Sequence, residues 1–193
     1  MKDSGQEMDE ANLRFNLWLT QGLVLGIAAG SSWLVHDWSG TAALFAWPDW
    51  SGLVQALAVA LLIVAASIAM ERYLPSSWQD DGQVNERVFG RMPPSMTVLV
   101  CITVGVGEEW LFRGVIQLFA GNVWTSLIFA LIHVRYLKKP LLFASVLATS
   151  LLLGLLFQRT GTLWPSIAAH IIVDMLLAFY LQHTLKKGWG EEP

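Results

Sequence analysis

Residues 96–119 read MTVLVCITVGVGEEWLFRGVIQLF, twenty-four positions that are apolar on both sides of Glu108, Glu109 and Arg113. At 1.5 Å per residue such a helix is longer than the roughly 30 Å hydrocarbon core of a bilayer. The stretch therefore reads as a membrane span that carries an acidic pair and an arginine inside it. Runs of the same kind occur at 17–35, 52–70, 122–134, 141–157 and 163–182. The run at 122–134 is short for a span, so it is expected to extend toward Leu137, to tilt or to break.

The composition agrees with that reading. Of 193 residues, 54% are hydrophobic and only 14% charged, and the mean hydropathy is +0.51; a soluble domain carries about a quarter charged residues. The expected fold is all-α, a polytopic transmembrane bundle of about six spans forming one membrane domain over 1–193. Prolines mark span starts at Pro93, Pro94, Pro140 and Pro165, where a missing N–H costs a first turn nothing. Trp18, Trp33, Trp38, Trp50, Trp124 and Trp164 cluster near the span ends, as interfacial anchors do. The acidic character of 1–14 argues against a cleaved signal peptide, which begins with a basic region. Cys101, in an apolar run, reads as a small buried side chain, and one cysteine excludes an intrachain disulfide.

Charge placement orients the spans. With the N-terminus in the cytoplasm, Lys2, Arg14, Arg72, Arg87, Arg91, Arg135, Lys138, Lys139, Lys186 and Lys187 all fall inside, ten of the twelve basic residues. Only Arg159 falls outside, and Arg113 lies within a span. That segregation is the positive-inside pattern, so both termini are expected to be cytoplasmic. The segment 1–16 is then a cytoplasmic lead-in, 71–95 a cytoplasmic loop, and 96–182 the part that holds the chemistry. Basic residues do not cluster on one face as nucleic-acid binding requires, so the partners expected are the lipid bilayer and a membrane-borne substrate.

Six ionisable side chains lie inside the spans: Glu108, Glu109, Arg113, His133, His170 and Asp174. A charge facing lipid at mid-span costs about 2.5–3.5 kcal/mol on insertion scales, so these groups must face one another or a wet cavity. Glu109 and Arg113 are four apart and share a helix face, whereas Glu108 is about 100° away. The natural division is a structural Glu109 paired with Arg113 and a Glu108 left for chemistry. His170 and Asp174 repeat the four-residue spacing, so the carboxylate either orients the imidazole or both ligate a metal. Counting from the span ends puts Glu108 and His170 at one depth, with His133 several ångströms nearer the cytoplasm.

Glu108-Glu109-Trp110-Leu111-Phe112-Arg113 resembles the EExxxR motif of the CAAX-protease and bacteriocin-processing (CPBP) membrane proteins, the type II CAAX prenyl endopeptidase-like group. Phe129-Ala130-Leu131-Ile132-His133 resembles that family's FxxxH motif, and His170-Ile171-Ile172-Val173-Asp174 its third motif, HxxxN or HxxxD. The three follow in family order within about 96–182. The resemblance implies hydrolysis of a peptide bond in a membrane-associated peptide or protein. It implies that Glu108 and His133 activate water, that His170 and Asp174 stabilise the oxyanion, and that Glu109 and Arg113 support the site.

A desolvated carboxylate is a competent general base near neutral pH, and the attacked carbonyl needs donors aimed at its developing charge. An ionised Asp174 cannot donate, so it would orient His170 or bind metal. Glu108, His133, His170 and Asp174 are all zinc-ligand types, but no HExxH motif is present, and water activation without a cofactor is the favoured expectation, with zinc as the alternative. The rival functions are a non-catalytic bacteriocin-immunity or scaffolding protein and a transporter with a proton relay; six spans without a repeat argue against the latter. The expected location is a bacterial cell membrane.

Overall fold

A computed structural model describes the backbone of residues 3–190 and the side chains of 11–187; Lys2, one of the ten basic residues used for orientation, lies outside the described residues. The described residues are helical and contain no strand. In chain order the helices are α1 (Asp3–Leu44), α2 (Trp50–Tyr73), α3 (Ser76–Gln79), α4 (Val84–Phe89), α5 (Pro94–Leu111), a π-helical turn (Phe112–Ile116), α6 (Gln117–Ile132), a 3-10 turn (Val134–Tyr136), α7 (Pro140–Thr160) and α8 (Leu163–Gly190). Pro94 and Pro140 stand in the first turns of α5 and α7, as expected.

Five helices are long and apolar enough to cross a membrane, the third running from Pro94 to Ile132, 39 residues. Drawn straight it would measure about 58 Å, nearly twice a bilayer core. It is not straight. Gly121 has φ +68° and ψ 172°, and a side chain there would meet no neighbour within 4 Å; the backbone angle, not crowding, calls for glycine. Beyond it the chain doubles back, for the Phe112 and Phe129 rings are 4.8 Å apart, whereas seventeen helical residues span about 25 Å. The run thus supplies two apolar segments, so that five long apolar helices make up six segments; the second segment, 122–132, is shorter than a bilayer core requires. The second ends at Ile132, with His133 as its cap, rather than continuing to Leu137.

Helix α1 extends beyond the expected 17–35 at both ends; at its C-terminal end a second helix follows a break at Asp37 (φ +56°). The Asp37 carboxylate accepts from Gly40 N and Ser39 Oγ, both at 2.9 Å, and so caps the new helix in the manner of an N-cap aspartate.

Contacts fix the helix directions. α1 runs parallel to α5, with Leu17 and Trp18 against the cluster of Val88, Met92 and Val100, and His36 at Gly114. α8 runs antiparallel to α5: Glu109 meets His170, and Gln182 Nε2 donates to the carbonyls of Phe89 and Met92. The first and last described side chains therefore lie at the same end of the bundle. A second cluster joins α2, α7 and α8 through Ala56, Ala60, Ile63, Val64, Leu153, Leu156, Ala169 and Val173. Small residues one turn apart let these helices approach closely. Leu57, Leu61 and Leu62 of α2 point outward and are exposed, as lipid-facing positions must be in an integral membrane protein.

Candidate active site

The acidic pair sits at the end of α5, and its two carboxylates face different ways. Glu109, completely buried, accepts from Arg113 Nε at 3.0 Å through Oε2. Its Oε1 lies 3.0 Å from Nδ1 of His170 on α8. The four-residue spacing pointed to one partner for Glu109; it bridges two. Glycine makes this approach feasible: a Cβ on Gly105, one turn earlier, would stand 2.7 Å from Ile171 Cγ1.

Arg113 occupies the π-helical turn, a distortion often found at functional sites. Besides Glu109 it donates from Nη2 to Ser150 Oγ at 2.8 Å and from Nη1 to Gln117 Oε1 at 3.4 Å, and it lies over the Phe129 ring. Gln117 in turn donates to the Gly154 carbonyl at 3.0 Å. The guanidinium is 1% exposed, so this set of acceptors replaces its hydration shell and ties α5, the π turn and α7 together.

His170 lies between two carboxylates. Nδ1 faces Glu109, and Nε2 is 3.5 Å from Asp174 Oδ2. An ionised carboxylate only accepts, so the hydrogen bond to Glu109 puts a proton on Nδ1. The Asp174 contact is too long for a strong hydrogen bond, and its side chain remains one-third exposed. Glu108 is half-buried; it accepts from Gln21 Nε2 on α1 at 3.4 Å and lies within Coulombic reach of His170 and Asp174.

His133 arrives from the returning segment. Its Nδ1 is 2.7 Å from the Phe129 carbonyl, an acceptor, so Nδ1 carries hydrogen and the neutral ring presents Nε2 as its basic nitrogen. The ring stacks on Tyr136 at an interplanar angle of 9° and leans on Phe129. Phe129 faces Phe112 across an antiparallel pair, so four residues further on His133 comes level with Glu108. Among the described residues no hydrogen bond joins the two, although His133 lies within Coulombic reach of His170.

Glu108, Glu109, Arg113, His170 and Asp174 thus form one layer between α5 and α8, with His133 at its edge. Gln21, Gln117, Ser150 and Tyr136 belong to the same network and were not foreseen. Gln117 was legible, since it follows Arg113 by one turn. Gln21 stood as an amide within an apolar run, but nothing local tied it to Glu108. Among the described residues no group of three or more His, Cys, Asp or Glu side chains is arranged to hold a metal ion.

Residues 90–176 match the family described as type II CAAX prenyl endopeptidase Rce1-like, a segment that contains every motif residue above. The likeness covers just under half of the chain. A relative in Bacillus subtilis (strain 168), the uncharacterized protein YpbD, is 40% identical over 123 residues, covering 63% of this chain and 65% of that protein. The chain thus spans just under two thirds of that relative's length. No solved structure matches the chain. The matched segment takes in α5, the π turn, α6, α7 and the first half of α8, and leaves out α1, which carries Gln21.

Proposed function

We propose that the protein is an intramembrane endopeptidase that hydrolyses a peptide bond in a membrane-associated peptide or protein. The observation that carries this reading is the unequal treatment of the two glutamates. Glu109 is locked between Arg113 and His170, while Glu108, in the same layer, is met by a neutral amide and keeps its carboxylate for a reacting water. In this scheme Glu108 takes a proton from water as the water oxygen attacks the carbonyl carbon. His133, through Nε2, helps to hold that water. His170, as the imidazolium, donates a hydrogen bond from Nε2–H to the oxyanion and keeps its proton; the long contact to Asp174 leaves that donor available, and Asp174 balances its charge. When the C–N bond breaks, the amine leaves with the proton held by Glu108.

The reaction is read as metal-free, because His170 serves as a donor in the arrangement described and not as a ligand. The family name and the relative in Bacillus support a peptidase of a bacterial cell membrane, and the distribution of basic residues supports cytoplasmic termini. Purified protein in liposomes, offered a library of membrane-anchored peptides, should cleave a subset. Glu108→Ala and His133→Ala should lower the rate by about 10²–10⁴-fold, the usual worth of a general base, and chelator should leave it unchanged. Equal cleavage by wild type and both variants, or none by any, would refute the assignment. Zinc-restored activity after chelation would refute the metal-free scheme.

A further inference from the structure

We infer that Gln21 of α1 is a positioning residue of the active site, holding the Glu108 carboxylate and the attacking water together; the inference rests on the peptidase reading above. Gln21 is a polar side chain in an apolar helix, yet it points inward and is only 5% exposed. Its Nε2 reaches Glu108 Oε1 at 3.4 Å, while its Oε1 is buried with no hydrogen-bond partner among the described residues. A buried amide oxygen without a partner gives up its hydration for nothing, which is unexplained if Gln21 only packs. Beside a catalytic carboxylate it has a use: a water held there offers one hydrogen to Glu108 and the other, in a bifurcated bond shared with His133 Nε2, to Gln21 Oε1.

The contact is built into the backbone. α1 runs parallel to α5, and Gly107, next to Glu108, brings α1 close: a Cβ there would stand 3.3 Å from Leu25 Cγ. Catalytic hydrogen bonds are often long without substrate and tighten in the reactive complex. In the step itself the water oxygen bonds to the carbonyl carbon, one water proton passes to Glu108, and the other O–H stays bonded to Gln21 Oε1. Collapse of the oxyanion then breaks the C–N bond, and Glu108 returns its proton to the leaving amine. Gln21 gains and loses no proton, which is why an amide suffices. α1 lies outside the Rce1-like segment, so the segment needs this helix to complete its site.

The test compares Gln21→Met, which keeps the length of the side chain, Gln21→Leu, Gln21→Asn and Glu108→Gln in liposomes. The probe is a quenched fluorescent peptide with an apolar anchor, taken from those that wild type cleaves. Gln21→Met and Gln21→Leu should lose roughly ten- to a hundredfold in kcat, the worth of a hydrogen bond to a charged group, with KM unchanged. Gln21→Asn should fall between. Independently of turnover, the infrared band of the Glu108 carboxyl, isolated by subtracting the Glu108→Gln spectrum, should shift in Gln21→Met. Full kcat in Gln21→Met and Gln21→Leu with an unmoved band, while Glu108→Gln is inactive, overturns the role of Gln21 and leaves the peptidase reading standing. No cleavage by wild type of any peptide overturns both.

Discussion

Removing either member of the Glu109–Arg113 pair should cost far more than removing any neutral partner around it. At 3.0 Å two unit charges attract by about 5–6 kcal/mol for an effective dielectric of about 20, before desolvation is subtracted. Desolvation absorbs much of that when the pair forms, but not when one partner is deleted and the other is left buried. Arg113→Leu and Glu109→Leu should therefore each destabilise by about 3–5 kcal/mol. Ser150→Ala removes only a neutral acceptor of Arg113 Nη2, and polar contacts inside membrane proteins average about 0.6 kcal/mol, reaching about 1.7. The double variant Glu109→Leu/Arg113→Leu removes both charges at once, so it should cost about 2–3 kcal/mol less than the two singles added together. Reversible unfolding of the purified protein by dodecyl sulfate, followed by tryptophan emission, gives all four numbers. The reasoning fails if the singles cost no more than Ser150→Ala, or if their costs add to within about 0.5 kcal/mol.

Gly154→Ala should destabilise by about 1–3 kcal/mol, as overpacking does, because its Cβ would collide with the amides of Asn122 and Gln117; both are held, Asn122 by donating to Leu151 O and Gln117 by accepting from Arg113, and the same unfolding assay measures the loss. In a Cys101→Ser background, Ser77→Cys and Lys138→Cys should react with an impermeant maleimide only from the cytoplasmic side of oriented vesicles, and Ser51→Cys only from the opposite side. Labelling of Ser51→Cys and Lys138→Cys from one side would reject the six-segment topology.

What the sequence made legible was whatever depends on composition and short spacing. The apolar runs gave the helices, and the four-residue spacing gave the Glu109–Arg113 pair. Energetics alone required that the buried ionisable groups meet, and five of them do. What stayed hidden depends on contacts far apart in the chain. Glu109 reaches His170 across 61 positions and Gln21 reaches Glu108 across 87; no local pattern encodes either. The reversal between the third and fourth segments was expected, but its hinge was not assigned to Gly121, because a lone glycine in an apolar run has several readings and only its positive φ selects one. The break at Asp37 escaped for a related reason. An aspartate followed by Trp38, Ser39 and Gly40 is a cap signal, but it fell beyond the expected end of the first span.

The hinge at Gly121 explains why the motifs can be so widely separated and still make one site. Because the chain doubles back there, Phe129 packs on Phe112 and under the Arg113 guanidinium. The aromatic residue that opens the second motif thus sets the height of the histidine that closes it. His133 is further fixed by its bond to the Phe129 carbonyl, so phenylalanine and histidine act as a unit, one as wedge and the other as presented base. On the opposite wall, Gly105 sets how near α8 comes and hence where His170 stands. The acidic pair is therefore registered from two sides by packing, while its charges are balanced from a third by Arg113. Such a layer tolerates lipid outside because the backbone polar groups of its helices are satisfied internally. It leaves one carboxylate, that of Glu108, without a cation in its described hydrogen bonding, and on the proposed reading that asymmetry separates a site for water chemistry from a salt bridge that merely holds two helices together.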